Sequence, residues 1–127
     1  MPEQQNAEIN PGSIIPYEAR AVDITSADQT NEGYRGGHFI VDVSSRASST
    51  QFVKVTIQGA VPASTRYYTV LASTLLSTGR TVLKVYPGLP GTANAIANDV
   101  LPHTWRVNST LASTGSIKYG VSAHLIV

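Results

Sequence analysis

Apolar and polar residues alternate with a period of two along most of the chain from residue 19 onward. In the stretch 38–45, for example, Phe39, Val41 and Val43 fall on one face and the intervening residues fall on the other. Such alternation is typical of a β-strand with one buried face. It predicts seven strands, over residues 19–25, 38–45, 51–59, 66–73, 80–86, 103–109 and 116–127.

The alternation also separates a buried face from an exposed face on each predicted strand. Val53, Val55 and Ile57 share the inward face of the third strand, and Trp105 lies on the inward face of the sixth. One buried face per strand excludes a parallel sheet that is covered on both sides. Short strands separated by turn signals are typical of sandwiches and barrels. We therefore predict an all-β fold, an antiparallel β-sandwich of about seven strands that is Ig-like or jelly-roll-like.

The first 19 residues lack this alternation and contain three prolines. Each proline fixes φ and lacks a backbone donor, so a helix is not expected there. We predict an extended N-terminal arm over residues 1–19 and a β-sandwich domain over residues 20–127. Two interpretations of the arm remain open. It is either a frayed terminus or an extended segment whose Ile14, Ile15 and Tyr17 dock on a neighbouring protein.

One long connection, residues 87–102, interrupts the strand pattern with the sequence PGLPGTANAIANDVLP. Thr92 is a candidate N-cap for a helical turn over residues 93–98. Loops of this length are uncommon unless they are functional or disordered, and the small apolar side chains disfavour disorder. The segment therefore packs either on its own end of the sandwich or on a partner. The candidate contact residues are Leu89, Ile96 and Val100.

Two connections have nearly the same sequence: STLLSTGR over residues 73–80 and STLASTGS over residues 109–116. Each joins two predicted strands and contains a glycine, Gly79 or Gly115, that can adopt a positive φ before the chain returns. We interpret the similarity as one hairpin connection used twice rather than as a duplicated domain.

The composition points to a surface rich in hydroxyl groups. Charged residues make up 13% of the chain, against roughly 25% in average domains, and serine and threonine fill the difference. The formal net charge of +1 is too balanced to indicate nucleic-acid binding. The N-terminal residues lack the pattern of a secretory signal, and no apolar run approaches the roughly 18 residues of a membrane span. We expect neither a nucleic-acid partner nor a membrane partner.

No pattern of chemically active residues indicates catalysis. His38, His103 and His124 fall on different predicted strands, without a metal-binding spacing such as HExxH. Cysteine is absent, which excludes disulfides and cysteine-based metal sites. Neither a GxSxG turn nor a phosphate-binding glycine loop occurs. We expect no enzymatic activity, no cofactor and no metal.

Four cations occupy outward positions near the middle of predicted strands. They are Lys54, Lys84, Arg106 and Lys118. If their strands are neighbours, the four side chains form a basic band, which is either a solvated sheet face or a surface complementary to an acidic protein. The adjacent Tyr67 and Tyr68 point to opposite faces, so one is expected in the core and the other is a candidate interface anchor.

A resemblance to a known family covers residues 37–127. It is carried by the strand pattern and by the elements YPGLP, NDVLP and WRV within the segments FVKVTIQG, RYYTVLAS, TGRTVLKVYPGLPGTANAIANDVLPHTWRVNST and SIKYGVSAHLIV. These segments resemble the decoration, or cement, proteins of tailed bacteriophages, which are small β-sandwiches bound to the outside of the capsid.

The resemblance implies a virion structural protein on the capsid exterior, made in the host cytoplasm. It implies binding to the major capsid protein and assembly with other copies of itself, as a dimer or trimer, and it implies no catalytic residues. The alternative is a glycan- or receptor-binding β-sandwich module of a phage tail or fibre, in which Tyr34 and the nearby Asn and Asp side chains would hold sugars. A structural subunit of the tail or of head completion is a third interpretation.

Overall fold

The computed structural model describes residues 11–113 and 115–127, which form ten β-strands and no helix. The strands are β1 (Pro11–Arg20), β2 (Ile24–Thr25), β3 (Gln29–Thr30), β4 (Gly36–Arg46), β5 (Val53–Ala60), β6 (Tyr67–Ala72), β7 (Gly79–Val85), β8 (Ile96–Ala97), β9 (Thr104–Leu111) and β10 (Ile117–Ile126). Six of the seven predicted strands coincide with long strands. The prediction of one strand over residues 19–25 is wrong, because a bend at Ala21 and Val22 separates β1 from β2.

The strands pair into two sheets that confirm the predicted sandwich. Sheet A has the order β1-β10-β4-β7-β8, and sheet B has the order β2-β9-β5-β6 with β3 also paired to β9. Every pairing is antiparallel except the short one between β7 and β8.

This strand order is that of a jelly roll rather than of an immunoglobulin fold. Eight strands remain when β2 and β3 are counted as one interrupted strand and β8 is left out. Among these, β1 pairs with β10, β2 and β3 pair with β9, β4 pairs with β7, and β5 and β6 form a hairpin. A long antiparallel ribbon rolled into two four-stranded sheets has this order. Both sheets bury one face, which accounts for the period-two burial along β4, β5 and β9.

The core lies between the two sheets and is made by the predicted inward faces. Trp105 of sheet B is fully buried, as predicted, and meets the edge of Phe39 of sheet A at a centroid distance of 5.4 Å and an interplanar angle of 82°. Edge-to-face contact of this kind is favoured by the ring quadrupoles. Val41, Val55 and Ile57 are fully buried in the same hydrophobic cluster.

The two similar connections play equivalent parts in the roll. Residues 73–80 lead from β6 to β7, and residues 109–116 lead from β9 to β10, so both carry the chain from sheet B to sheet A. They are therefore crossings between the sheets and not hairpins, which corrects that interpretation. Gly79 and Gly115 have positive φ values of 122° and 103°, as predicted for the points where the chain reverses.

The boundary expected after residue 19 does not separate an arm from the sandwich. Residues 11–20 form β1, which pairs with β10 along the edge of sheet A, with two register irregularities between Ser13 and Glu18. The irregular pairing explains why the sequence shows no alternation here, since each bulge shifts the side chains to the other face. Residues 1–10, the rest of the predicted arm, lie outside the described residues.

Candidate partner-binding surfaces

The outer face of sheet A presents apolar side chains at its centre. Cross-strand register places Ile40 of β4 between Ser122 of β10 and Val82 of β7. Val82 is 42% exposed at a position where a solvated sheet would normally carry a polar residue. An apolar centre on an open sheet face is the first candidate for contact with another protein.

A row of basic side chains borders this centre on one side. His124, His38 and Lys84 lie opposite one another on β10, β4 and β7. Partial burial lowers the pKa of His38, and the charges of Lys84 and His124 lower it further. The imidazole of His38 is thus biased toward its neutral form, which keeps the row less positive than three adjacent cations would be.

A shallow depression of about 230 Å³ borders the centre on the other side. It exists because Gly120 has no side chain, so that Tyr17 of β1 lies over the backbone of β10. The Tyr17 ring is 48% exposed, and the ammonium group of Lys118 lies 5.3 Å from its centroid. The depression places an aromatic face next to the apolar centre of the sheet.

The long connection, residues 87–102, packs on its own domain. The backbone N–H of Lys84 donates to the carbonyl of Ala95 (2.9 Å), and the side-chain amide of Asn94 donates to the carbonyl of Ala72 (3.0 Å). Of the two alternatives for this segment, the structure therefore shows the contact with its own sandwich. Residues 93–98 form no helical turn, because a turn from Thr92 to Ile96, with φ of 62° at Asn94, leads directly into β8.

The apolar residues of this segment divide between core and surface. Leu101 is buried, Leu89 and Ile96 are half-buried, and Val100 is 53% exposed. Ile96 lies beside Lys84 at the end of the basic row. Val100 is thus the member of the three candidate residues that is most available to a partner.

The outer face of sheet B carries a network of polar side chains that satisfy one another. The guanidinium group of Arg106 stacks 3.5 Å from the centroid of the Tyr67 ring and donates to Oε1 of Gln58 (2.8 Å). The Tyr67 hydroxyl donates to the carboxylate of Asp28, whose two oxygens are both 2.8 Å away. This hydrogen bond is the main reason that the pKa of Tyr67 is raised.

A cleft of about 520 Å³ opens beside this network, at the end of sheet B. One wall is the turn between β5 and β6, and the other is the chain that enters β9. Tyr68 stands in the cleft with 44% of its side chain exposed. As predicted, Tyr67 and Tyr68 lie on opposite sides of β6, but neither is buried in the core, because β6 is the edge strand of its sheet.

The four cations predicted to form a basic band do not lie on one face. Lys84 and Lys118 belong to sheet A, whereas Lys54 and Arg106 belong to sheet B. The outer faces of the two sheets point in opposite directions, so no single partner surface meets all four. This corrects the expectation of a band, since outward alternation within a strand does not say which sheet the strand joins.

The three candidate contact residues of the predicted arm differ in their exposure. Ile15 is 1% exposed and Ile14 is likewise buried, so both belong to the core of this domain. This corrects the expectation that they lie on a free arm and present their side chains to a neighbour. Tyr17, from the same group, is exposed as described above. Tyr34, the residue considered for sugar binding, packs against the core and is half-buried.

The sequence did not suggest Asp28 or the cleft. Asp28 lies in a polar loop with no distinctive pattern, and only the fold brings it to Tyr67, 39 positions along the chain. The pairing of His38 with His124 was likewise not expected, because strand register is a property of the tertiary structure.

The described residues hold no cluster of three or more His, Cys, Asp or Glu side chains with the geometry of a metal site. Within the same part of the chain, no helical segment has the length and hydropathy of a membrane span.

Comparisons with known proteins give one structural similarity. No family model and no curated sequence matches the chain. A chain in the solved structure of infectious bursal disease virus, Gt strain, is similar, with 14% sequence identity and a TM-score of 0.42. The similarity covers 91% of this chain and 32% of that chain, so this chain spans about a third of the length of its structural neighbour. At this identity and TM-score no function follows from the similarity.

Proposed function

We propose that this chain is a virion structural protein that decorates the exterior of a phage head and stabilises the head by binding the major capsid protein. The observation that carries the proposal is the outer face of sheet A, where Ile40 and Val82 form an apolar centre on an open sheet and the exposed ring of Tyr17 borders it. The resemblance of residues 37–127 to phage decoration proteins agrees with it.

The two outer faces differ in a way that favours sheet A as the contact surface. On sheet B, Arg106, Gln58, Tyr67 and Asp28 already satisfy one another. On sheet A, Val82 is exposed at the centre of the face, and the exposed Tyr17 ring has the ammonium group of Lys118 5.3 Å from its centroid. Covering them with a complementary surface removes apolar area from water, which favours association.

The size of this face explains why many copies would be needed. Four strands about 4.8 Å apart and about eight residues long present roughly 500 Å², less than the ~800 Å² per partner of a typical stable complex. Single contacts of this size are weak, but an assembled head offers many equivalent sites at high effective concentration. Binding only to the assembled head then shifts the equilibrium toward it by mass action. The proposal includes further copies of the chain, as a dimer or trimer on the capsid surface, after synthesis in the host cytoplasm.

Co-sedimentation with heads assembled from the major capsid protein of the same genome tests the proposal. Val82→Asp places a charge in the centre of the sheet A face and is expected to weaken binding at least tenfold. Thr69→Asp is the matched control, because it adds the same charge at an exposed strand position in sheet B. Thermal unfolding of both variants verifies that they are folded. Absence of wild-type sedimentation, or equal losses in the two variants, would contradict the proposal.

A further inference from the structure

The cleft at the end of sheet B is lined by both apolar and polar residues. The apolar ones include Ala60 at the end of β5, Val61 and Pro62 of the β5–β6 turn, and Pro102, and the polar ones include Asp28 and Thr104. Its volume of about 520 Å³ falls within the usual range for small-molecule sites, about 300–1,000 Å³. The cleft shares no lining residue with the outer face of sheet A.

The ring of Tyr68 packs on the backbone at Gly59 in this cleft. A Cβ atom at Gly59 would lie 2.8 Å from Cζ of Tyr68 and 2.5 Å from Cγ of Pro102, so the absence of a side chain at Gly59 is what seats both rings. Tyr68 as a whole is 44% exposed, so part of its side chain remains open to solvent. A partly exposed tyrosine ring that packs on backbone provides a stacking surface at little cost in conformational entropy.

Asp28 is a hydrogen-bond acceptor held in a defined position in the lining of the same cleft. The Tyr67 hydroxyl, 2.8 Å from both carboxylate oxygens, orients the group. A carboxylate has about four lone-pair positions, so most of its accepting capacity is left for a ligand. Arg106 lies on the Tyr67 ring and does not line the cleft.

We propose that this cleft binds a neutral saccharide. The apolar C–H face of a sugar ring packs on Tyr68, while sugar hydroxyls donate to the Asp28 carboxylate and exchange hydrogen bonds with Thr104. A sugar is the ligand class that offers an apolar face and several hydroxyl donors on one small ring. The negative charge of Asp28 disfavours acidic sugars, because no lysine or arginine lines the cleft to offset it.

This inference is separate from the capsid-binding proposal, since it uses other residues. A head-bound domain with such a cleft would display a saccharide-binding site on the particle. Tyr68→Ala is therefore expected to co-sediment with heads as the wild type does.

Two-dimensional NMR of the labelled full chain, titrated with maltotriose, chitotriose and xylotriose, tests the inference, with sialyllactose as an acidic probe. At least one neutral trisaccharide is expected to shift resonances of the β5–β6 turn and of residues 102–104. Tyr68→Ala is expected to weaken this binding at least tenfold, and Asp28→Asn severalfold. Tyr68→Phe, which retains the ring, is expected to bind within about twofold of the wild type.

Tyr17→Ala is the matched control, because Tyr17 is exposed to a similar extent but lies on sheet A. It is expected to leave saccharide binding unchanged. Failure of every neutral trisaccharide to shift the cleft resonances would overturn the inference. So would tighter binding of sialyllactose, or equal losses in Tyr68→Ala and Tyr17→Ala. None of these results would bear on co-sedimentation with heads.

Discussion

The buried hydroxyl groups of Tyr119 and Ser109 are hydrogen-bonded to each other and join sheet A to sheet B. Both side chains are fully buried. Ser109 also donates its proton to the carbonyl oxygen of Ile24 (3.2 Å), so the Tyr119 hydroxyl is the donor of the pair. A buried polar contact of this kind specifies how the two sheets are aligned, because an apolar core alone would tolerate small shifts.

Removing either partner is expected to destabilise the fold, but unequally. Tyr119→Phe deletes one hydroxyl, and Ser109 keeps its bond to Ile24, so we expect a loss of about 0.5–1.5 kcal/mol. Ser109→Ala leaves the buried Tyr119 hydroxyl without its acceptor, so we expect a larger loss of about 1–3 kcal/mol. Urea denaturation of the two variants measures the difference. Equal losses would contradict the arrangement in which Tyr119 donates to Ser109 and Ser109 donates to Ile24.

The same pair predicts how stability responds to alkaline pH. Burial raises the pKa of Tyr119, partly opposed by the hydrogen bond with Ser109. Because the folded chain then holds this proton more tightly than the unfolded chain, the contribution to stability is present below about pH 10 and is lost as the pH rises above it. Denaturation curves between pH 8 and about 11 are expected to show a shallower decline in Tyr119→Phe. An unchanged slope in that variant would refute the assignment to Tyr119.

Ile15 and Tyr17, two positions apart on β1, are expected to contribute to different properties. Ile15 contributes to the stability of the fold, and Tyr17 contributes to binding. Ile15→Ala removes a buried side chain and is expected to cost about 2–5 kcal/mol in the free energy of unfolding. Tyr17→Ala removes an exposed ring, so we expect it to change stability by less than about 0.5 kcal/mol and to weaken binding to heads. Thermal unfolding and co-sedimentation measure the two effects. Loss of head binding in a well-folded Ile15→Val variant would instead indicate a direct contact by Ile15.

The close approach of β1 to Gly120 can be tested with one methyl group. In Gly120→Ala the new Cβ would lie 2.9 Å from Cα of Tyr17, so the backbone of β1 must move. We expect a destabilisation of about 1–3 kcal/mol, with the loss of hydrogen-exchange protection concentrated in β1. Ser122→Ala, two positions along the same strand face, is the control and is expected to preserve protection of β1. Full protection in Gly120→Ala would contradict the close packing.

Mildly acidic pH is expected to weaken the fold through His38. Its pKa is lowered by burial, by Lys84 and by His124, so the unfolded chain binds this proton more readily than the folded chain. Stability therefore decreases as the pH falls below about 6.5, the ordinary pKa of histidine. His38 is half-buried rather than fully buried, so the slope is small. In His38→Gln the decline between pH 7 and about 5 should be reduced, whereas His103→Gln, at an exposed site, should leave it intact. Identical slopes in all three proteins would exclude His38 as the cause.

The sequence alone was sufficient for the fold class and for much of the core. Period-two alternation is a local property, and it placed Phe39, Val55 and Trp105 on inward faces because a strand exposes successive side chains to opposite sides. Proline and glycine marked the connections for the same local reason. β1 was missed as a strand, because its bulges break the alternation.

The surfaces were decided by the tertiary structure. Lys54 and Lys84 have the same pattern in sequence yet lie on opposite sheets, and Asp28 meets Tyr67 across 39 positions of the chain. Strand order and register are set by which strands pair, and pairing depends on contacts between distant residues that no local pattern encodes. Alternation therefore determined which side chains face inward, while the rolling of the ribbon determined which outward side chains became neighbours.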